Sequence, residues 1–274
     1  MHTVLPEQSR LFEETPQEKE SSSAALRLSR VQDKPVMLDF TGGALSSDAG
    51  VLLLREVERQ MGLIKALAAT IHDPRDARYV KHTVMDLLMQ RVGQIACGYA
   101  DADDCDALRD DPIFKMLADR APESGEALSS QPTMSRFENS ISRTYLYRLA
   151  RVFLERFVAS YEREPEVIVL DADDTSDLVH GDQQLALFNG YFKEYCFMPL
   201  HVYEALSGNL ITTILKPGKR CSGKQMLAIV KRLVTFIRAR WPHTLIVFRG
   251  DAHFAYPAVM AWLEAQPNVK YVIG

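Results

Sequence analysis

Apolar positions along this chain fall into two rhythms. From Ser46 to Tyr161 they recur at helical spacing. Ser46-Ser47-Asp48 offers an N-cap for a helix carrying Val51, Leu52, Leu53 and Val57. Val84, Leu87, Leu88, Arg91, Val92 and Ile95 keep a 3.6-residue period, with Gly98 as its stop. Asp111-Pro112-Ile113-Phe114 opens a short helix with Pro in the first turn, and residues 121–128 read as a loop. A long helix is predicted from about Ser142 to Tyr161, with Tyr145, Leu149, Val152, Phe153 and Phe157 on one stripe. After Pro165 short apolar runs take over. Strands are expected at 166–170, 197–205, 210–215 and 245–248, and at Val269–Ile273. Ser207-Gly208-Asn209 signals a hairpin, and helices are expected at 223–241 and 256–266.

That order places an antiparallel hairpin before a helical crossover, which suits a ribonuclease-H-like sheet. The fold class expected is α/β: a helical N-terminal region followed by an incomplete ribonuclease-H-like mixed sheet. Residues 1–33 are polar, with Ser21-Ser22-Ser23, and read as a disordered leader. Asp33 to Thr41 reads as a short strand ending at a Gly42-Gly43 turn. The division expected is 1–33 leader, 34–162 a mainly helical region, and 163–274 the mixed-sheet region. No internal repeat is present.

The chemistry sits where strands end. Val167-Ile168-Val169-Leu170 runs into Asp171-Ala172-Asp173-Asp174, and Leu245-Ile246-Val247-Phe248 runs into Arg249-Gly250-Asp251. Side chains alternate along a strand, so Asp171 and Asp173 share a face and Asp174 takes the other. Two like charges so close call for a cation or a proton between them. Mg²⁺ suits a few carboxylates and several waters. The plainer reading is that each Asp caps a turn. From Ala205 to Gly250 there are nine Lys or Arg and no acid. That local surplus fits a phosphate backbone despite a net charge of −4, although a solvated helix face would also produce it.

Other classes fit less well. No apolar run of membrane-spanning length exists and residues 1–33 lack a signal-peptide apolar core, so a cytoplasmic protein without a membrane partner is expected. Cys97, Cys105, Cys196 and Cys221 are scattered and read as free thiols, without zinc-ligand spacing. Gly218-Lys219-Arg220-Cys221-Ser222-Gly223-Lys224-Gln225 approaches a P-loop, but Gln225 cannot supply the hydroxyl that holds Mg²⁺. Ser130-Gln131-Pro132-Thr133-Met134-Ser135-Arg136 resembles the start of a recognition helix, and an ordinary capped helix would look the same. His180, His201 and His253 are further candidate ligands or bases, His180 being close to the acidic cluster in sequence.

The stretch from Leu170 to Gln184, LDADDTSDLVHGDQQ, closely resembles the first catalytic block of the insertion-sequence transposases called DDE group 1. Phe188-Asn189-Gly190-Tyr191-Phe192, Tyr195-Cys196-Phe197-Met198-Pro199-Leu200 and Leu215-Lys216-Pro217-Gly218 are similar to its continuation. Arg249-Gly250-Asp251-Ala252-His253-Phe254 resembles the second block. Blocks at 38–43, 73–76, 97–104 and 108–112 are also similar, so the likeness spans about residues 36 to 274. It implies DNA transposition by metal-dependent phosphoryl transfer, with Mg²⁺ or Mn²⁺. The first catalytic, metal-binding acid is Asp171 or Asp173, and the second is Asp251. Expected DNA contacts are Ser130, Thr133, Ser135, Arg136, Lys219, Arg220, Lys224 and Arg249. The expected partner is double-stranded DNA bearing terminal inverted repeats, and a homo-oligomer is the expected assembly. Ala252-His253 replaces the family's usual Ser-Gly. The family's third acid, a Glu, lies on a helix beyond the equivalent of Ile273-Gly274. The reading is therefore a truncated, inactive form, or alternatively a non-catalytic DNA-binding competitor of the full-length enzyme.

Overall fold

The computed structural model describes residues 26–31, 34–38, 46–179, 183 and 186–274. The Gly42-Gly43 turn, His180 and most of the leader lie outside the described residues. Two compact units are formed, residues 1–56 with 89–134 and residues 57–88 with 135–274. No described helix is long and apolar enough to cross a membrane.

In the first unit, β1 (Leu26–Val31) pairs antiparallel with β2 (Lys34–Leu38). β1 therefore lies inside the stretch expected to be a disordered leader. Helices α1 (Val51–Met61) and α3 (Val84–Ala96) each have residues in both units, and α2 (Leu63–Thr70) belongs to the second. Sequence reading missed α2. Its first N–H groups, on Ile64 and Lys65, are capped by the carboxylate of Glu58 from the helix before, a partner no local pattern reveals. Gly98 ends the α3 segment with φ +92°, as its position predicted. The short helices α4 (Asp104–Leu108) and α5 (Pro112–Leu117) follow, the latter capped by Asp111. Buried Gln90 is bonded both ways to Ser129: its Nε2 donates to the Ser129 carbonyl at 3.0 Å, and its Oε1 accepts from Ser129 N at 3.0 Å. This fixes the backbone entering α6 (Gln131–Asn139).

The second unit holds the sheet. α7 (Arg143–Ala159), capped by Ser142, precedes β3 (Val167–Asp174). Its buried Leu154 and Phe157 join the sheet's core, so α7 packs with the residues beyond the boundary expected at 162. After β3 come β4 (Asp177–Leu178), β5 (Leu187–Asn189) and β6 (Glu194–Phe197), an antiparallel three-stranded sheet in the order β4-β6-β5. A long loop was expected there. Strands of two to four residues show no readable alternation, and their pairing is set by partners up to about twenty residues apart. The strand expected at 197–205 is divided at Met198-Pro199, where proline supplies no ladder donor, and β7 (Leu200–Glu204) begins after it.

β8 (Leu210–Ile214), α8 (Gly223–Arg238), β9 (Leu245–Gly250), α9 (Pro257–Glu264) and β10 (Val269–Ile273) complete the unit. The sheet order is β10-β9-β3-β7-β8. β3, β7 and β8 are antiparallel, while β3, β9 and β10 are parallel, giving the ribonuclease-H-like arrangement expected. Ile168, Leu170, Ala172, Ile246 and Phe248 point into a core shared with α7, α8 and α9. Val167, Asp171, Asp173 and Arg249 face the other way and are partly or largely exposed.

Candidate active site

β3 continues further than its apolar run. Leu170 to Asp174 pair with Glu204 to Leu200 of β7, so the carboxylates sit inside a paired strand rather than after it. On the other side Asp171 is level with Arg249 of β9, and Ala172 with Gly250. Alternation then separates the three aspartates. Asp174 turns to the core side, where Lys216 Nζ donates to its Oδ1 at 2.7 Å, each side chain only 7% exposed. Asp171 turns outward and accepts from Arg249 Nε at 2.7 Å and from its Nη2 at 2.5 Å. The guanidinium hydrogen bond holds the Asp171 carboxyl below its ordinary range and raises Arg249 in turn. Asp173 is exposed on the same face, across from His201 of β7, whose Nδ1 shares a 3.0 Å hydrogen bond with Thr213 Oγ1.

The second acidic strand end is built by a glycine and an arginine. A Cβ on Gly250 would lie 2.7 Å from the ring of Phe254, so the backbone can turn under that buried ring only without a side chain. Asp251 caps the resulting 3₁₀ turn, accepting from His253 N at 2.8 Å. His253 Nδ1 lies 3.7 Å from Asp251 Oδ2, both side chains exposed. His253 thus replaces a small residue without entering the core. Arg220 donates to the carbonyls of His253 and Ala252 and lies over the Tyr256 ring at 4.7 Å, pinning this turn from outside.

The acid-free basic segment now has a physical account. Lys216 is buried against Asp174, Arg220 serves the Asp251 turn, and Arg249 is held by Asp171. Arg238 donates to the carbonyls of Trp241, Pro242, Thr244, Pro267 and Asn268, tying the end of α8 to two loops. Lys231, Arg232 and Arg240 lie over the rings of Trp262, Tyr147 and Phe236. Much of the surplus charge is thus met by carbonyls and aromatic faces, which no count of acids records. Lys219 and Lys224 remain exposed. The near P-loop is a capping box: Gln225 Oε1 accepts from Ser222 N at 2.9 Å, and Ser222 caps α8 in return.

The hydroxyl-rich segment opens α6. Met134 is fully buried, Ser130 and Thr133 hydroxyls lie 3.3 Å apart, and Ser135 accepts from the Asn139 side chain at 3.3 Å. Arg136 is exposed. Among the described residues no three His, Cys, Asp or Glu side chains gather into a metal-holding group. The structure adds one residue that sequence reading passed over. Glu204, buried at the end of β7, accepts from Val169 N at 3.1 Å and from Leu206 and Ser207 N at 3.1 and 2.6 Å. Burial pushes its carboxyl up, but those N–H donors outweigh burial and hold it below its ordinary value. The signal was an acid placed just before a Ser-Gly hairpin turn.

A family model described as transposase DDE domain group 1 matches residues 28–274. A search of curated proteins finds no match. Among solved structures, the piggyBac transposase synaptic complex with hairpin DNA is 14% identical with TM-score 0.41, covering 81% of this chain and 50% of that one. The Mos1 transposase paired-end complex with left transposon end is 14% identical with TM-score 0.27, covering 73% and 60%. The Drosophila P element transposase strand transfer complex is 10% identical with TM-score 0.31, covering 67% and 44%. The chain thus spans about half the length of the first of these, and these loose superpositions add nothing to the assignment. The match over residues 28–274 places the chain in the transposase DDE domain group 1 family.

Proposed function

We propose that this chain acts on DNA as a DDE-type transposase, by metal-dependent phosphoryl transfer at the shared end of β3 and β9. One observation carries the reading. Ala172 and Gly250 are paired neighbours on parallel strands, and Asp173 and Asp251 are the next residues on each. This favours Asp173 over Asp171 as the first catalytic acid, because Asp171 already holds Arg249. Carboxylate oxygens are hard donors that suit Mg²⁺ or Mn²⁺. Such ions, when bound, activate water or a DNA 3′-hydroxyl and stabilise the leaving oxygen. Asp173 and Asp251 would hold them, with Lys219 and Lys224 toward the flanking phosphates. The substrate is double-stranded DNA bearing terminal inverted repeats, bound with help from Ser130, Thr133, Ser135 and Arg136 of α6. A bacterial element would place this work in the cytoplasm, and a synapse of two ends would call for a homo-oligomer.

Asp173 and Asp251 follow paired residues on neighbouring strands, and among the described residues no three His, Cys, Asp or Glu side chains gather into a metal-holding group. Each missing carboxylate removes charge and geometric constraint. Residues 1–274 alone are therefore expected to bind a divalent ion weakly and to cleave poorly. The same observation favours a second reading, a non-catalytic DNA-binding chain that competes with a transposase carrying all three acids. A gel shift on terminal-repeat duplex across a salt series tests the DNA reading. Specific binding that weakens steeply with salt supports it, and no binding to any duplex at low salt refutes it. Calorimetric titration with Mn²⁺ tests the site: weak binding lost in Asp251→Ala is expected. Robust nicking by the isolated polypeptide would refute the inactive reading.

A further inference from the structure

The β5–β6 hairpin exposes more aromatic surface than folding requires. Phe188 and Tyr195 are cross-strand partners with ring centroids 5.6 Å apart, and both are exposed. At the tip, Tyr191 is 87% exposed and stands edge-on to Phe192 at 5.0 Å, itself exposed. Rings left in water add nothing to the core, and clusters of them mark interaction sites. Hydrogen bonds also tie the backbone of the tip. Asn189 Oδ1 accepts from Tyr191 N at 3.0 Å and Phe192 N at 3.4 Å, and Lys193 N donates to the Asn189 carbonyl at 2.8 Å.

The hairpin is fastened, through the face opposite Phe188 and Tyr195, to the turn that carries Lys219 and Arg220. Asn189 Nδ2 donates to the Gly218 carbonyl at 2.9 Å. A Cβ on Gly218 would come within 2.3 Å of the Cys196 carbonyl and 2.6 Å of that of Leu187, so hairpin and turn pack backbone to backbone. Lys219 and Arg220 follow at once, and Arg220 grips the carbonyls of Ala252 and His253 just after Asp251. Lys193, Lys219 and Lys224 are all exposed. Glu194 is on the opposite face of β6 from Tyr195, while Asp177, paired across from Phe197, shares the aromatic face at its far end from the tip.

We propose that this hairpin is a stacking platform for unpaired DNA bases next to the strand-end aspartates, with the three lysines taking the adjoining phosphates. The inference rests on the DNA reading above and names the part of the substrate held here, nucleotides lifted out of the duplex. Every base offers a π-face to an exposed ring, and a lysine-rich rim tracks the backbone without reading sequence. Paired bases are already stacked and gain nothing from these rings. Another copy of this chain could also cover an aromatic patch, but the joined cations favour a polyanion.

Fluorescence anisotropy on the whole 274-residue chain tests this, with chelator present so that no cleavage intervenes. The probes are a labelled single strand of about 16 nucleotides and the duplex of the same sequence. Tyr191→Ala, and separately the Phe188→Ala/Tyr195→Ala pair, are expected to weaken single-strand binding about tenfold while leaving duplex binding and thermal midpoint unchanged. Tyr191→Phe is expected to restore it. Equal loss on both probes, or no loss on the single strand, overturns the inference. So does sedimentation in which Tyr191→Ala breaks a dimer while single-strand affinity is kept. Wild-type chain that binds neither probe removes the DNA reading itself. Duplex binding with no aromatic dependence on the single strand removes this inference alone.

Discussion

The two faces of β3 and β9 carry alternate residues of the same strands and live under opposite rules. Toward the helices stand Ile168, Leu170, Ala172, Ile246 and Phe248, almost wholly removed from water. Toward the outside stand Val167, Asp171, Asp173 and Arg249, all partly wet. The same carboxylate chemistry therefore has two fates. Asp174, on the covered side, is paired with the equally buried Lys216. Asp171, side chain 35% exposed, has its Arg249 partner in water, where the pair adds little to stability and the charges stay open to a ligand. Function can be placed on a strand at little cost to the fold when alternation puts it on the wet face.

The sharpest way to break that contrast is to disturb the covered face. Lys216→Ala leaves Asp174 buried and unpaired, and is expected to cost about 3–5 kcal/mol in urea unfolding. Phe248→Ala should cost a similar ~3–5 kcal/mol, whereas Val272→Ala on the exposed side should stay within about 0.5 kcal/mol.

Gly250→Ala probes the junction between the faces. Its added methyl must displace Phe254, for about 1–3 kcal/mol, and should carry the Asp251 turn out of place. Loss of Mn²⁺ binding at temperatures where the variant is still folded checks this.

Acid separates Glu204 from the exposed acids. Folding lowers its pKa, so its contribution is complete above the unfolded value of roughly 4.3 and disappears as pH falls through the folded value. Glu204→Gln should flatten the acid limb of a stability–pH curve below about pH 4.3. An unchanged limb would assign it to other groups.

The smallest effects fall on the wet face. Asp171→Ala should cost about 0.2–1 kcal/mol, as expected for an exposed pair, and Asp173→Ala about zero. If Asp173 is the metal ligand, divalent-ion binding should nevertheless fall more in Asp173→Ala than in Asp171→Ala.

Much of this was legible in the chain. The helices around Val84–Ala96, Arg143–Ala159 and Gly223–Arg238, the hairpin at Gly208 and both acidic strand ends follow from periodicity, caps and turn residues, which act over a few positions. The separation of Asp171 and Asp173 from Asp174 follows from strand alternation alone. The small β4-β6-β5 sheet, the Glu58 cap on α2 and the carbonyl-binding role of Arg238 were not legible. Each depends on partners that meet only when the chain has folded.

By itself, the sequence determined the order of the five main-sheet strands and of the longer helices, the α/β class and which residues could carry charge at strand ends, because these are set by short-range spacing and side-chain type. Only the tertiary structure decided how those charges are spent. It buried Lys216 with Asp174, set Arg249 against Asp171, and left Asp173 and Asp251 as the residues that follow a paired couple on neighbouring strands. Charge pairing depends on distance and exposure, and residues some 40 to 80 positions apart acquire both only through the register of a folded sheet.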